Sequence, residues 1–288
     1  MKDLPQIFYD KLKKNYSKDE YELVLKFKID KRPVSFRLNT LLTLNDLKEL
    51  DEKNILYSKI DFLHNYILDK KYKEKDLWET QIFKTKIYLQ SISSQIPSLF
   101  LDLKKDDKVL DTTAAPGKTS QIRAIIENTE IIAVDNNAIR IDKLKHTINK
   151  QVKNTQVVKN DATRLHNFYK KEYFDVILAD LPCSAERINL NIEKTFFWKE
   201  DISLKNASVQ KQILLSIMPL LKKNLVYSTC TLSKEENEDV VKFILSNFQD
   251  MQLSTISLNM PNVRKIDNLL RILPNEIQEF FIAKFIKK

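Results

Sequence analysis

The sequence predicts an α/β protein, a doubly wound parallel sheet preceded by a smaller α+β domain. Two observations carry that prediction. From residue 108 onward, short β-branched apolar runs alternate with helical periodicity, the pattern of successive βαβ units. The first hundred residues lack this alternation, and 288 residues are enough for one large or two modest domains.

Taken in order, the chain opens with two amphipathic helical stretches, a strand-like Pro33–Leu42, and charged or helical segments through Phe100. The first domain is expected over 1–75 and the second over 76–288, with Trp78–Leu103 leading into the large sheet. Strands are expected at Lys108–Asp111, Ile131–Asp135, Gln156–Lys159, Phe174–Ala179, Asn224–Ser228 and Glu279–Ile286. Helices are expected near Thr119–Asn128, Ala138–Lys150, Leu204–Leu221 and Ser233–Asn247, with Pro219 acting as a breaker. Asp111 and Asp135 stand at strand ends, and Asp161 and Asp180 just after two more. In open α/β sheets the ligand crevice lies at the carboxyl ends of the strands, so the four carboxylates are expected to face one cleft.

Composition narrows the function. No apolar run approaches the ~18 residues needed to span a bilayer. The opening MKDLPQIFYDKLKK has no apolar core of a secretory signal, so a cytoplasmic protein without membrane partners is expected. Cys183 and Cys230 are the two cysteines, with neither the number nor the spacing of a zinc site, and His64, His146 and His166 are scattered, so no metal is expected. A net charge of +9 suits a polyanionic partner. The chain has one glycine, Gly117, where average usage of ~7% would give about twenty. Left-handed backbone positions therefore fall to Asn and Asp, and the segment around Gly117 becomes a candidate ligand loop.

Four motifs carry the candidate chemistry. In the strand–loop–helix Val109-Leu-Asp-Thr-Thr-Ala-Ala-Pro-Gly-Lys-Thr119, small residues allow backbone amides at a helix N-terminus to approach a ligand. A P-loop would end in the same Gly-Lys-Thr but needs glycine where Thr112 stands. Asp135, at the end of a strand, is placed either to accept hydrogen bonds from a ribose diol or to cap the helix starting at Ala138. Asp180-Leu-Pro-Cys183-Ser and Tyr227-Ser-Thr-Cys230-Thr each bring a thiol to a strand edge. A lone buried cysteine is usually a small hydrophobe, but two at the same cleft point to chemistry.

In combination, Asp-x-x-Ala-Ala-Pro-Gly-Lys-Thr, Asp135, Asp161-Ala162, Asp-x-Pro-Cys-Ser and Tyr-Ser-Thr-Cys-Thr resemble the NOL1/NOP2/Sun family of S-adenosylmethionine-dependent RNA cytosine-5 methyltransferases. Ser35-Phe-Arg37-Leu-Asn39-Thr resembles that family's amino-terminal RNA-binding element, Gln90–Pro97 its lead-in, and Arg271–Pro274 with Glu279–Ala283 its closing strand.

The resemblance implies a Rossmann-like methyltransferase domain behind an RNA-binding domain. Cytosine C5 is a poor nucleophile until a thiolate adds at C6, so the chemistry needs a cysteine and by itself leaves either thiol open. The family likeness implies Cys230 as nucleophile, Cys183 assisting breakdown of the covalent adduct, and Asp180 binding the base and supplying a proton near N3. It assigns Thr113, Ala114, Ala115, Pro116, Gly117 and Lys118 to the methionine end of the cofactor, with Asp180 near the methyl donor. Asp135 goes to the ribose and Asp161 to the adenine side. Arg37, Asn39, Lys31 and Arg32 are expected to position RNA, with ribosomal RNA favoured and transfer RNA the alternative, acted on by a monomer. A catalytically inactive RNA-binding relative is the contrasting reading. The chain departs from the family pattern in having one glycine before Lys118 rather than two, and Ala185 and Glu279 where glycines usually stand.

Overall fold

The computed structural model describes residues 6–26, 32–39, 47–60, 65–126, 129–151, 155–186, 200–260, 262–274 and 277–288. Two sheets organise them. The smaller contains β1 (Ser35–Leu38), β2 (Tyr57–Ile60), β3 (Asn65–Leu68) and β4 (Ile87–Leu89), in the antiparallel order β2-β3-β1-β4. Its core joins Phe36, Leu38, Tyr66 and Leu68 to Leu77, Ile82 and Ile87, with the rings of Phe36 and Tyr66 stacked at 5.3 Å. The boundary expected at residue 75 therefore falls inside this unit. Helical patterning around Gln81–Thr85 concealed the three-residue β4, whose pairing with β1 is a long-range choice.

The larger sheet is built from β5 (Lys108–Asp111), β6 (Glu130–Asp135), β7 (Thr155–Lys159), β8 (Phe174–Asp180) and β9 (Leu221–Thr229), all parallel. It continues through β10 (Met251–Leu253), β11 (Val263–Ile266), β12 (Leu269–Ile272) and β13 (Phe280–Lys287), which are antiparallel to their neighbours. The order β11-β12-β13-β9-β8-β5-β6-β7, with β10 beside β13, reverses direction between β5 and β8. That switch point opens a crevice at the carboxyl ends of the strands. The β8 run Val176–Ala179 is fully buried, as befits a strand covered on both faces.

The expected strands and helices of this sheet are present with shifted ends. The helix expected from Thr119 begins at Pro116 and ends at Ile125, with 127–128 outside the described residues. The third helix runs Glu200–Ile217, and Met218-Pro219-Leu220 forms a 3₁₀ turn before β9. The helix expected from Ser233 begins only at Glu238, because the preceding residues are drawn into a buried hydrogen-bond network. The short strands β10 to β12 carry no alternation strong enough to read from sequence.

The two amino-terminal helices, Gln6–Asn15 and Lys18–Lys26, pack on the large sheet's side of the molecule: Phe8, Leu12, Tyr16 and Val24 cluster with Leu232 and Leu273. The glycine shortage has its expected outcome. Positive φ among the described residues falls on Asn54, Asp102, Asp106, Asn262 and Asp267, and also on Glu172 and Ala185.

Candidate active site

The loop after β5 is held to both sides of the switch point. Thr112 N–H donates to Leu178 O at 3.1 Å and Ala114 N–H to Val134 O at 2.7 Å, while the Thr113 hydroxyl donates to the backbone oxygen of Asp180. Pro116 then starts the helix in the first-turn position that tolerates a missing N–H. Gly117 is not left-handed. A Cβ there would stand 3.2 Å from Gln90 Cδ and 3.4 Å from Tyr88 Cε1, so the glycine admits side chains of the smaller unit.

Around this loop four acidic groups line the crevice. Asp111 is buried and accepts the Thr119 hydroxyl at 2.6 Å. Burial, with Asp180 and Asp135 nearby, pushes its carboxyl up to about 7 against the Thr119 bond and Lys118. Asp180 accepts Ser228 Oγ at 2.7 Å and pairs with Lys118 Nζ at 2.8 Å. The Lys118 ammonium also donates to Ser94 Oγ at 2.8 Å and lies 5.2 Å from the Phe280 ring centre. Asp135 accepts Asn137 N–H at 2.6 Å, and its other oxygen faces the half-exposed Arg140 at 3.3 Å. The side-chain cap of the following helix is instead Asn137, which accepts Arg140 N–H at 3.1 Å. Asp161 caps a 3₁₀ turn through Thr163, and those bonds lower its pKa.

This donor set fits an adenosyl-sulfonium cofactor. Asp135, Asp161 and Asp180 stand at or just after the ends of β6, β7 and β8, and a helix N-terminus faces the same edge. The Arg140 contact with Asp135 joins a half-exposed guanidinium to a buried carboxylate.

The two thiols meet. Cys183 Sγ and Cys230 Sγ are 3.3 Å apart, unbonded and partly exposed, well beyond the ~2.05 Å of a disulfide. The Cys183 thiol is pushed up by its bond to Cys230, by burial and by Glu236. The Cys230 thiol is lowered, chiefly because it accepts that hydrogen bond, with Lys118 adding to the effect against burial and Asp180. The two thiols are thus shifted in opposite directions, Cys230 being the one that gives up its proton more readily.

The expected RNA contacts divide. Lys31 lies outside the described residues. Arg32 is partly exposed at the rim of a cavity of about 360 Å³ and donates to Gln278 Oε1 at 3.1 Å. Arg37 and Asn39, both expected to position RNA, are each only 3% exposed, so neither side chain is at the surface to do so. All five guanidinium donors of Arg37 are used: Nε to Gln90 Oε1, Nη1 to Leu38 O and Asn39 Oδ1, Nη2 to Gly117 O and Ser120 Oγ. Arg37 is the joint between the small sheet and the helix of the cofactor loop.

Sequence reasoning also missed Glu236. It is buried, and accepts Ser184 N–H at 2.9 Å, the Ser184 hydroxyl and Gln210 Nε2 at 3.2 Å. Burial pushes its carboxyl up to about 7. Its one signal in the sequence was an acidic run, Glu235-Glu236-Asn-Glu238, directly after a cysteine motif. Such a run ordinarily reads as a solvated surface.

The fold is a Rossmann-like parallel sheet with its crevice at the carboxyl ends of the strands. Residues 98–286 match the family model described as 16S rRNA methyltransferase RsmB/F, and the chain belongs to that family. A Pyrococcus horikoshii protein named tRNA (cytosine(72)-C(5))-methyltransferase is 35% identical over 238 residues, 75% of this chain and 57% of that protein. Ribosomal RNA small subunit methyltransferase F of Vibrio vulnificus is 33% identical over 213 residues, 69% of this chain and 45% of its own length. The chain thus spans about half the length of these curated relatives. A Pyrococcus horikoshii structure titled methyltransferase homolog protein superposes with a TM-score of 0.76 at 28% identity, covering 99% of this chain and 100% of the other. The structure of NSun6 from the same organism with SFG superposes at 0.83 and 24% identity, covering 98% of each chain. The latter likeness is one of fold.

Proposed function

We propose that this protein transfers a methyl group from S-adenosylmethionine to C5 of an RNA cytidine through a covalent cysteine adduct. The observation that carries the reading is the thiol pair: a partly exposed Cys230 whose pKa is lowered by Cys183, in the environment of Lys118 and Asp180. When bound, the cofactor supplies an electrophilic sulfonium methyl. Cys230 adds to C6 of the base, making C5 nucleophilic. Asp180, fixed by Ser228 and Lys118, holds the base and, in its protonated form, gives that proton to N3 as C6 is attacked, recovering it when the adduct breaks down. After transfer a base removes the C5 proton, the C5–C6 double bond re-forms and the Cys230–C6 bond breaks, with Cys183, one hydrogen bond from Cys230, assisting that release. The loop residues Thr113 to Lys118 hold the methionine end, Asp135 the ribose and Asp161 the adenine side.

The target base must leave its stack to reach the crevice, so a single-stranded or extruded cytidine is the substrate. Ribosomal RNA is favoured, in keeping with the name of the matched family model. Transfer RNA is the second reading, favoured by the name of the relative that is 35% identical. The smaller unit, with Arg32 at its edge, contributes the RNA surface, and the protein acts as a cytoplasmic monomer without metal. No helix among the described residues is long and apolar enough to cross a membrane, and no group of three or more potential metal ligands occurs among them.

The test is incubation with methyl-labelled S-adenosylmethionine and total RNA, with nucleoside analysis of separated ribosomal and transfer RNA. Labelled 5-methylcytidine is expected, in the ribosomal pool. Cys230→Ala should reduce turnover on the order of a thousandfold or more and remove the covalent complex on denaturing gels, whereas Cys183→Ala should accumulate it. The opposite pattern would exchange the two roles.

A further inference from the structure

We propose that Glu236 is the positioning residue of the two-thiol centre, strapping the Cys183 loop to the Cys230 loop so that Cys183 is held as hydrogen-bond donor to Cys230. The inference rests on the proposed roles of the thiols and adds the group that makes them unequal.

The strap acts on the residue immediately following each cysteine. Ser184, next to Cys183, gives both its backbone N–H and its hydroxyl to the Glu236 carboxylate. Its hydroxyl oxygen also lies 2.8 Å from the hydroxyl of Thr231, next to Cys230. Gln210 Nε2 reaches Pro182 O at 2.8 Å and Glu236 Oε2 at 3.2 Å, closing the loop from the helix side. Tyr227 holds that arrangement from below, its hydroxyl directed to Gln210 Oε1 at 3.0 Å and to the Glu236 backbone oxygen.

Hydrogen bonding and charge both call for a carboxylate in this place. Burying one is costly unless donors surround it, and here Ser184 N–H and Gln210 Nε2 go to one oxygen and the Ser184 hydroxyl to the other; a glutamine, with one acceptor oxygen, could take only one of the two Ser184 bonds. The carboxylate also places negative charge beside Cys183, which disfavours a thiolate there. At Cys230 the hydrogen bond from Cys183 is the main influence lowering the thiol, and the opposite charges of Asp180 and Lys118 act against each other. The first proton lost by the pair therefore comes from Cys230. The charged groups around Glu236 are Glu186 and Glu235, bridged by Lys11 at 2.9 and 3.2 Å, and Glu238, paired with Arg271. Tyr227 and Cys183 complete its titratable neighbours.

The test uses the free protein. Iodoacetamide labelling of Cys183 and Cys230 is followed by peptide mass spectrometry from about pH 6 to about pH 9. Cys230 is expected to label faster, by about tenfold or more above neutrality, with the preference rising as Glu236 ionises near 7. Glu236→Gln should lower the preference about threefold or more and abolish its rise through neutrality. Ser184→Ala, which keeps the charge and removes one strap, should retain the rise. A wild-type preference that is flat through neutrality, or a Glu236→Gln profile like the wild type, would overturn the proposal. If the glutamine variant does not fold, the wild-type profile alone decides. Because neither RNA nor cofactor is present, failure here leaves the methyl-transfer test independent.

Discussion

The joint at Arg37 and the centre at Cys230 are both polar clusters drawn from distant parts of the chain, yet they differ in how their ionisable groups are held. At the joint every guanidinium donor has an acceptor, and a glycine removes the one Cβ that would crowd Gln90. Burial lowers the Arg37 pKa to about 10, so it stays charged at neutral pH and behaves as a fixed part of the fold. At the centre, two thiols share one hydrogen bond, and two carboxyls, Asp111 and Glu236, are pushed up to about 7. A guanidinium with every donor paired resists change, whereas a cluster with protons near balance can exchange them at physiological pH. That difference separates the structural use of buried polarity from the chemical one.

The largest effect that would break this contrast is at Arg37. Arg37→Met leaves the acceptors of Gln90, Asn39, Leu38, Gly117 and Ser120 without their donor, and should cost about 3 kcal/mol or more in denaturant unfolding. Gly117→Ala, which presses a Cβ to 3.2 Å from Gln90 from the other side, should cost about 1 kcal/mol. Neither should change the ratio of Cys230 to Cys183 labelling in folded protein. A change in that ratio would mean that joint and centre are one unit.

A smaller effect concerns pH. A carboxyl whose folded pKa is raised binds its proton more tightly folded than unfolded, so its stabilising contribution is lost as pH rises from about 4 to about 7. Asp111→Asn, which keeps an acceptor for Thr119, should therefore flatten the fall in unfolding free energy between about pH 5 and about pH 7.5. Parallel wild-type and variant curves would show that Asp111 does not titrate in this range.

The smallest effect is at Ala185, beside the Cys183 loop, which has φ 47° where the family pattern has glycine. The left-handed conformation costs an alanine about 1–2 kcal/mol, part of which Ala185→Gly returns as unfolded-chain entropy. A net gain of about 0.5 kcal/mol in thermal unfolding is expected. A loss would show that the methyl group is packed to advantage.

Much of the large domain was legible because its strands are continuous β-branched runs ending in Asp, Pro or Cys, and those endings mark the crevice. Lys108–Asp111 was read with its observed ends, and Phe174–Asp180 within one residue. In the smaller sheet Ser35–Leu38 was legible within the strand-like Pro33–Leu42, but the other short strands were not: Ile87–Leu89 is three residues whose strand character comes from pairing with Arg37's strand. The same limit hid Glu236, since a carboxylate in a charged run gives no sign of burial until Ser184 and Gln210 close around it.

The sequence by itself determined the order of elements in the parallel sheet, the carboxylates and thiols at its strand ends, and the use of Asn and Asp where glycine is scarce. These are local matters of side-chain pattern and backbone sterics. Only the tertiary structure decided that Arg37 is a buried joint, that Gly117 makes room for protein side chains, and that Cys183 and Cys230 stand within one hydrogen bond of each other. Each depends on groups separated by tens to hundreds of residues, and burial and pairing, which set their charge and reactivity, exist only once the chain has closed.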